Sequence, residues 1–83
     1  MNTLAKRAHN IAPDPVALIV DGETIELRPR SAEFFQEEFR AEGVADGTVY
    51  RMVSDGADDP LVIARETADG WAVVGAVSAV ERA

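Results

Sequence analysis

Very few side chains in this sequence could do chemistry, and each candidate set fails on a specific residue. Nucleophilic catalysis requires an activated nucleophile, usually with a neighbouring base. The chain has one histidine, His9, and no cysteine. Ser31, Ser54 and Ser78 lack the Gly-x-Ser-x-Gly context of a nucleophile elbow. A lone histidine does not build a zinc site, which takes four ligands or three and a water. The acidic loop Asp55-Gly56-Ala57-Asp58-Asp59-Pro60 places Glu66 at the twelfth position of a calcium-loop count from Asp55. Ala57 then occupies a ligand position, and Pro60 stands where the sharp-turn glycine belongs. Gly70 and Gly75 have phosphate-loop spacing, but Ala76 and Val77 replace the Lys and Ser/Thr that would hold phosphate and magnesium. Glu33 with Glu37, and Glu38 with Glu42, are paired carboxylates, yet glycosidase chemistry needs two of them converging in a cleft. The sequence therefore assigns no catalytic residue, no metal ligand and no cofactor.

One cationic and aromatic set remains: Arg28, Arg30, Tyr50, Arg51 and Trp71. Arginines interleaved with aromatic rings on one sheet face could stack bases and hold phosphates. The same arginines could instead pair with neighbouring carboxylates while the rings cover a core edge. Which of these holds depends on the elements that carry them.

Residues 1–15 form either an arm or a short helix. Leu4, Ala8 and Ile11 recur at helical spacing, Thr3 can cap, and Pro13 and Pro15 stop the pattern. The remainder, 16–83, reads as a single α+β domain. Residues 16–20 are a continuous apolar run closed by Asp21-Gly22, a strong hairpin signal. Residues 23–28 alternate, with Ile25 and Leu27 on one side, as a half-buried strand does. Pro29 ends that strand. Ser31 then caps a helix over 32–42, with Ala32, Phe35 and Phe39 as its apolar stripe and Gly43 as its C′ residue. Strands follow over 48–53, 61–67 and 71–80, with turns at 54–60 and 68–70 and Gly75 marking a bulge. The expected order is ββαβββ: a mainly antiparallel sheet with one helix packed on one face.

The ββαβ portion of that order resembles ubiquitin-like β-grasp domains. Those modifiers end in Gly-Gly, whereas this sequence ends Val80-Glu81-Arg82-Ala83. The resemblance therefore implies a β-grasp-like sheet without conjugation chemistry.

Composition bears on environment and partners. Fifteen acidic residues face eight basic ones, for a net charge of -7, and Lys6 is the single lysine. Acidic excess with arginine in place of lysine resembles the style of salt-adapted proteins; a codon bias toward alanine, arginine and valine accounts for part of it. The acidity disfavours nonspecific contact with nucleic acid or anionic membranes. No apolar run approaches the roughly 20 residues of a membrane span, and no signal-peptide pattern follows Lys6 and Arg7. Without cysteines, no disulfide can staple the fold. A cytoplasmic location is expected.

The strands at 48–53 and 71–80 are apolar on both parities: Val49 and Val53 on one side with Tyr50 and Met52 on the other, then Val73 and Val77 opposite Val74. Strands of that kind are usually buried on both faces. One helix covers one face, so the expected function is a small acidic protein-interaction or regulatory module without catalytic activity. Its partner would be another protein or a second copy meeting through the sheet. The alternative is a nucleic-acid-binding or transcription-associated module using the Arg/aromatic set.

Overall fold

The computed structural model describes residues 3–56 and 58–83; Ala57, one of the two residues at which the calcium-loop count fails, lies outside them. The elements are α1 (Thr3–Ile11), β1 (Val16–Val20), β2 (Glu23–Phe35), β3 (Glu38–Ala45), β4 (Thr48–Ser54), β5 (Val62–Thr67) and β6 (Gly70–Arg82). The six strands form a closed antiparallel barrel in sequence order, β6 returning to pair with β1.

Two long strands make closure possible. The first half of β2 pairs with β1 (Val16↔Leu27 to Val20↔Glu23), and its second half pairs with β3 (Arg28↔Val44 to Phe35↔Glu38). The first half of β6 pairs with β5, and its second half with β1. Each bends where its partner changes. In β2 the register shifts between Pro29 and Ser31, a bulge that tolerates a proline within a sheet. In β6 the bend falls at Gly75, where a β-carbon would meet Val20 Cγ1 at 3.0 Å and the Asp21 carboxylate at 3.1 Å.

The barrel replaces the expected α+β sheet, and the correction centres on residues 32–42. They form the end of β2, a tight turn at Gln36 and Glu37, and most of β3. The same apolar residues satisfy a period of two: Ala32 faces Ala41, and Phe34 faces Phe39, across the hairpin. Phe39 is fully buried, but Phe35, which a helical stripe would have buried, is 56% exposed. Helix propensity in Ala and Glu is a weak prior that a cooperative ladder overrides. Ser31 is a ladder residue paired with Glu42, not a cap. Gly43 is not a helix terminator; its small size lets β2 cross β3 closely at Pro29↔Gly43. The resemblance to β-grasp order falls with the helix.

A small barrel is filled by its own side chains. Val16, Leu18, Leu27, Phe39, Met52, Leu61 and Ile63 point inward and are essentially inaccessible. Helix α1 closes one end, burying Ala5, Ala8 and Ile11. Its Arg7 Nε donates to the Val80 carbonyl, and its His9 ring packs 5.3 Å from Phe34 and 6.5 Å from Phe39. In an antiparallel meander alternate turns share an end. The Asp21-Gly22 and Asp46-Gly47 turns and the one at Ala68 and Asp69 therefore gather at the end opposite α1.

Candidate interaction surface

Strand alternation assigns each outward side chain on β4, β5 and β6. Met52 points into the core, so Arg51 and Val53 point out. Register then sets their neighbours. Arg51 lies directly opposite Glu42 on β3 and Ala64 on β5, and Ala64 lies opposite Val73 on β6. Trp71 lies opposite Glu66. Arg51 turns away from Glu42, with which it forms no ion pair among the described residues. Its guanidinium crosses the small Ala64 and stacks on the indole of Trp71, 4.2 Å from the ring centroid. An exposed cation–π contact of this kind contributes about 0.5–1 kcal/mol.

Beside this stack runs an outward apolar strip of Val53, Val62, Ala64 and Val73. Val73 is 74% exposed and Trp71 38%. The strip floors a shallow groove of about 470 Å³, bounded by Arg51 at one end and by Asp55, Asp59 and Pro60 at the other. The acidic end is held in place. Arg40 donates to Asp55 Oδ1 at 2.8 Å and to the Ser54 carbonyl at 3.2 Å, with Glu38 at 3.7 Å. The buried Ser54 hydroxyl lies 3.1 Å from the Gly56 carbonyl and 3.3 Å from that of Asp59.

The expected five-residue set divides. Arg51 and Trp71 come together. Tyr50, next to Arg51 in sequence, takes the opposite face of β4, opposite Gly43 and Arg65, and is half-buried against the core. Arg28 is on the outer face of β2 opposite Val44, and Arg30 sits exposed at the bulge. Arg28 and Tyr50 line a different opening, a cleft of about 780 Å³. It forms where residues 23–27 leave β3, and Thr24, Glu26 and Asp46 also line it. Among the described residues, the side chains of Arg28, Arg30 and Arg65 make no ion pair, whereas Arg40 and Arg82 pair with Asp55 and Asp14. Of the five residues expected on one face, Arg51 and Trp71 meet in the stack, Arg28 and Tyr50 line the cleft, and Arg30 joins neither.

Sequence reasoning did not single out Val53, Val62 and Val73 as a site. Val53 and Val73 carried a signal, apolar residues on both parities of the strands at 48–53 and 71–80, whereas Val62 carried none. Glu38 and Glu42 both face outward on β3, about 13 Å apart at the rise of a strand, rather than stacked on a helix face. Among the described residues no group of His, Cys, Asp and Glu could hold a metal ion. No described helix is long and apolar enough to cross a membrane.

The chain belongs to the family described as Domain of unknown function (DUF8072), whose model matches residues 1–83. Neither the curated proteins nor the solved structures include a match to it.

Proposed function

We propose that this domain is a small acidic protein-interaction module without catalytic activity, adapted to high salt, with the outer wall of β4, β5 and β6 as its binding face. One observation carries the reading: Val73 stands 74% exposed in an apolar strip on a wall whose strands are already paired. Apolar surface gains about 25 cal/mol per Å² when removed from water, and a contiguous patch rimmed by charges is a common form of interaction site. Because the strands of this wall bond to one another, a partner engages it through side chains rather than by adding a strand. The acidic surface suits a cytoplasm rich in salt.

The test is capture of a partner from native extract at native salt by the wild-type domain and by Val73→Asp. A protein retained by the wild type and lost by the variant supports the reading; equal retention by both ends it.

Nucleic-acid binding is a second reading, favoured by the Arg51–Trp71 stack alone, since an aromatic ring and a guanidinium are what a base stacks against. Glu42 and Glu66 flank that stack and repel phosphate. Chemical-shift mapping with single-stranded RNA and DNA separates the two: shifts at Arg51 and Trp71 support this second reading, and silence there removes it.

A further inference from the structure

Strand β2 has an edge that no other strand covers. Its first half bonds to β1 alone, and pairing with β3 starts only at Arg28↔Val44, since the turn at Asp46-Gly47 ends β3 there. The two-residue turn at Asp21-Gly22 fixes which backbone groups are left over. In such a hairpin the residues flanking the turn form a hydrogen-bonded pair, and bonded and non-bonded pairs then alternate along the ladder. Val20↔Glu23, Leu18↔Ile25 and Val16↔Leu27 are therefore the bonded pairs. The N–H and C=O of Thr24 and Glu26 point the other way, into the place that β3 has left. Among the described residues no hydrogen bond closes on them. The second half of β6 differs. The same alternation aims the Val80 carbonyl away from β1, and Arg7 of α1 donates to it.

The uncovered edge is one side of the cleft of about 780 Å³. Thr24, Ile25 and Glu26 line it consecutively, facing Ala45 of β3 and Thr48 and Tyr50 of β4. Ile25, Ala45 and Tyr50 are half-buried and pack on the core. Glu26 and Asp46 are exposed, with no ion pair among the described residues. From this geometry we infer that the cleft takes an extended segment of another protein, which adds to Thr24–Glu26 as a strand where β3 stops. In this mode main-chain bonds supply affinity and alternate side chains supply specificity. Alternate side chains of the added strand turn inward onto Ile25 and Tyr50, and the others lie outward beside Glu26. Apolar residues fit the first positions. Basic residues fit the second, because Glu23, Glu26 and Asp46 outnumber Arg28 around the edge. Charge also disfavours a second copy here: two β2 edges pairing with each other would bring both sets of carboxylates together. This edge is separate from the exposed strip around Val73, where a partner meets side chains only.

Amide exchange and peptide titration of the isotope-labelled full chain test this, at the lowest salt in which it stays folded, since salt screens the carboxylates. Without peptide, the Thr24 and Glu26 amides are expected to exchange fast while those of Ile25 and Leu27 are protected. A blocked peptide of alternating lysine and valine, at millimolar concentration, is expected to shift and protect the Thr24 and Glu26 amides. The same peptide with glutamate for lysine is expected to bind at least about tenfold more weakly. All valine amides of a strand point to one edge and all lysine amides to the other. N-methylation of one set is therefore expected to cost at least about tenfold in affinity, and of the other set to change little. Val73→Asp is expected to bind the lysine peptide as the wild type does. No shift at Thr24 and Glu26, equal binding of the two charge types, or equal effects of the two methylations overturns the inference and leaves the outer-wall reading to its own test. Loss of the peptide in Val73→Asp places its binding on the outer wall instead, and protection of both amides in a peptide-free dimer makes the occupant a second copy; each also overturns it.

Discussion

Phe34 and Phe39 face each other across the β2–β3 hairpin with ring centroids 4.9 Å apart, tilted 45°. Their neighbour Phe35 points the other way, into solvent. The three phenylalanines are therefore unequal. Phe39→Ala removes a fully buried ring and is expected to cost about 3–5 kcal/mol, a large share of what a small domain has. Phe35→Ala is expected to stay within about 0.5 kcal/mol of wild type. Urea unfolding of the two variants checks this, and equal losses would contradict the hairpin, since a helix over the same residues buries both.

Gly43 lies under the β2 crossing. A β-carbon there would sit 2.6 Å from the Arg28 carbonyl oxygen and 2.8 Å from Leu27 Cγ. The first contact is with backbone, which cannot rotate away. Gly43→Ala is expected to destabilise by about 1–3 kcal/mol through overpacking, although alanine has the higher intrinsic preference for an ordered strand. A thermal melt that shows no loss would mean that β2 and β3 are not this close.

Gln36 occupies the left-handed region at φ 62° in the β2–β3 turn. A residue with a side chain pays about 1–2 kcal/mol there, against about 0.5–1 kcal/mol of extra chain entropy lost by glycine. Gln36→Gly is therefore expected to stabilise slightly, by a fraction of a kcal/mol, read as a rise in urea midpoint at constant slope. A fall in that midpoint counts against the turn geometry.

Trp71 is the single tryptophan, so its emission reports the Arg51 stack directly. Arg51→Ala is expected to change the tryptophan spectrum and to cost about 0.5–1 kcal/mol. Arg28→Ala, in the separate cleft, is expected to do neither. An unchanged spectrum in Arg51→Ala would show that the guanidinium does not rest on the ring.

Fifteen acidic residues against eight basic ones leave a net charge of -7, and nearly all of the carboxylates are exposed. The melting temperature is expected to fall as salt is withdrawn and the Debye length grows from about 3 Å at 1 M to about 10 Å at 0.1 M. A melting temperature indifferent to salt would return the acidity to codon bias.

Local signals in the sequence settled the local structure. Asp21-Gly22 and Asp46-Gly47 both take positive φ at each residue, as hairpin turns of this type require, and the runs ending or starting at them are β1, β2, β3 and β4. The turn before Gly70 and the helical spacing of Ala8 and Ile11 likewise correspond to elements of the fold. Residues 32–42 were not legible in the same way. Ala32, Phe35 and Phe39 fit a period of 3.6, while Ala32 and Phe34 with Phe39 and Ala41 fit a period of two, and the turn between them has neither glycine nor asparagine. Over so few residues the two periods are equally good, and only pairing with β4 on one side and packing against α1 on the other selects the strand. The site was decided in the same way. Sequence alone identified Arg51 and Trp71 as a cation and a ring and showed valines on both faces of their strands. Barrel closure set the register that puts Ala64 between them, sent Tyr50 inward and Arg28 to another cleft, and left Val73 exposed, because which residues are neighbours across strands is fixed by long-range pairing rather than by distance along the chain.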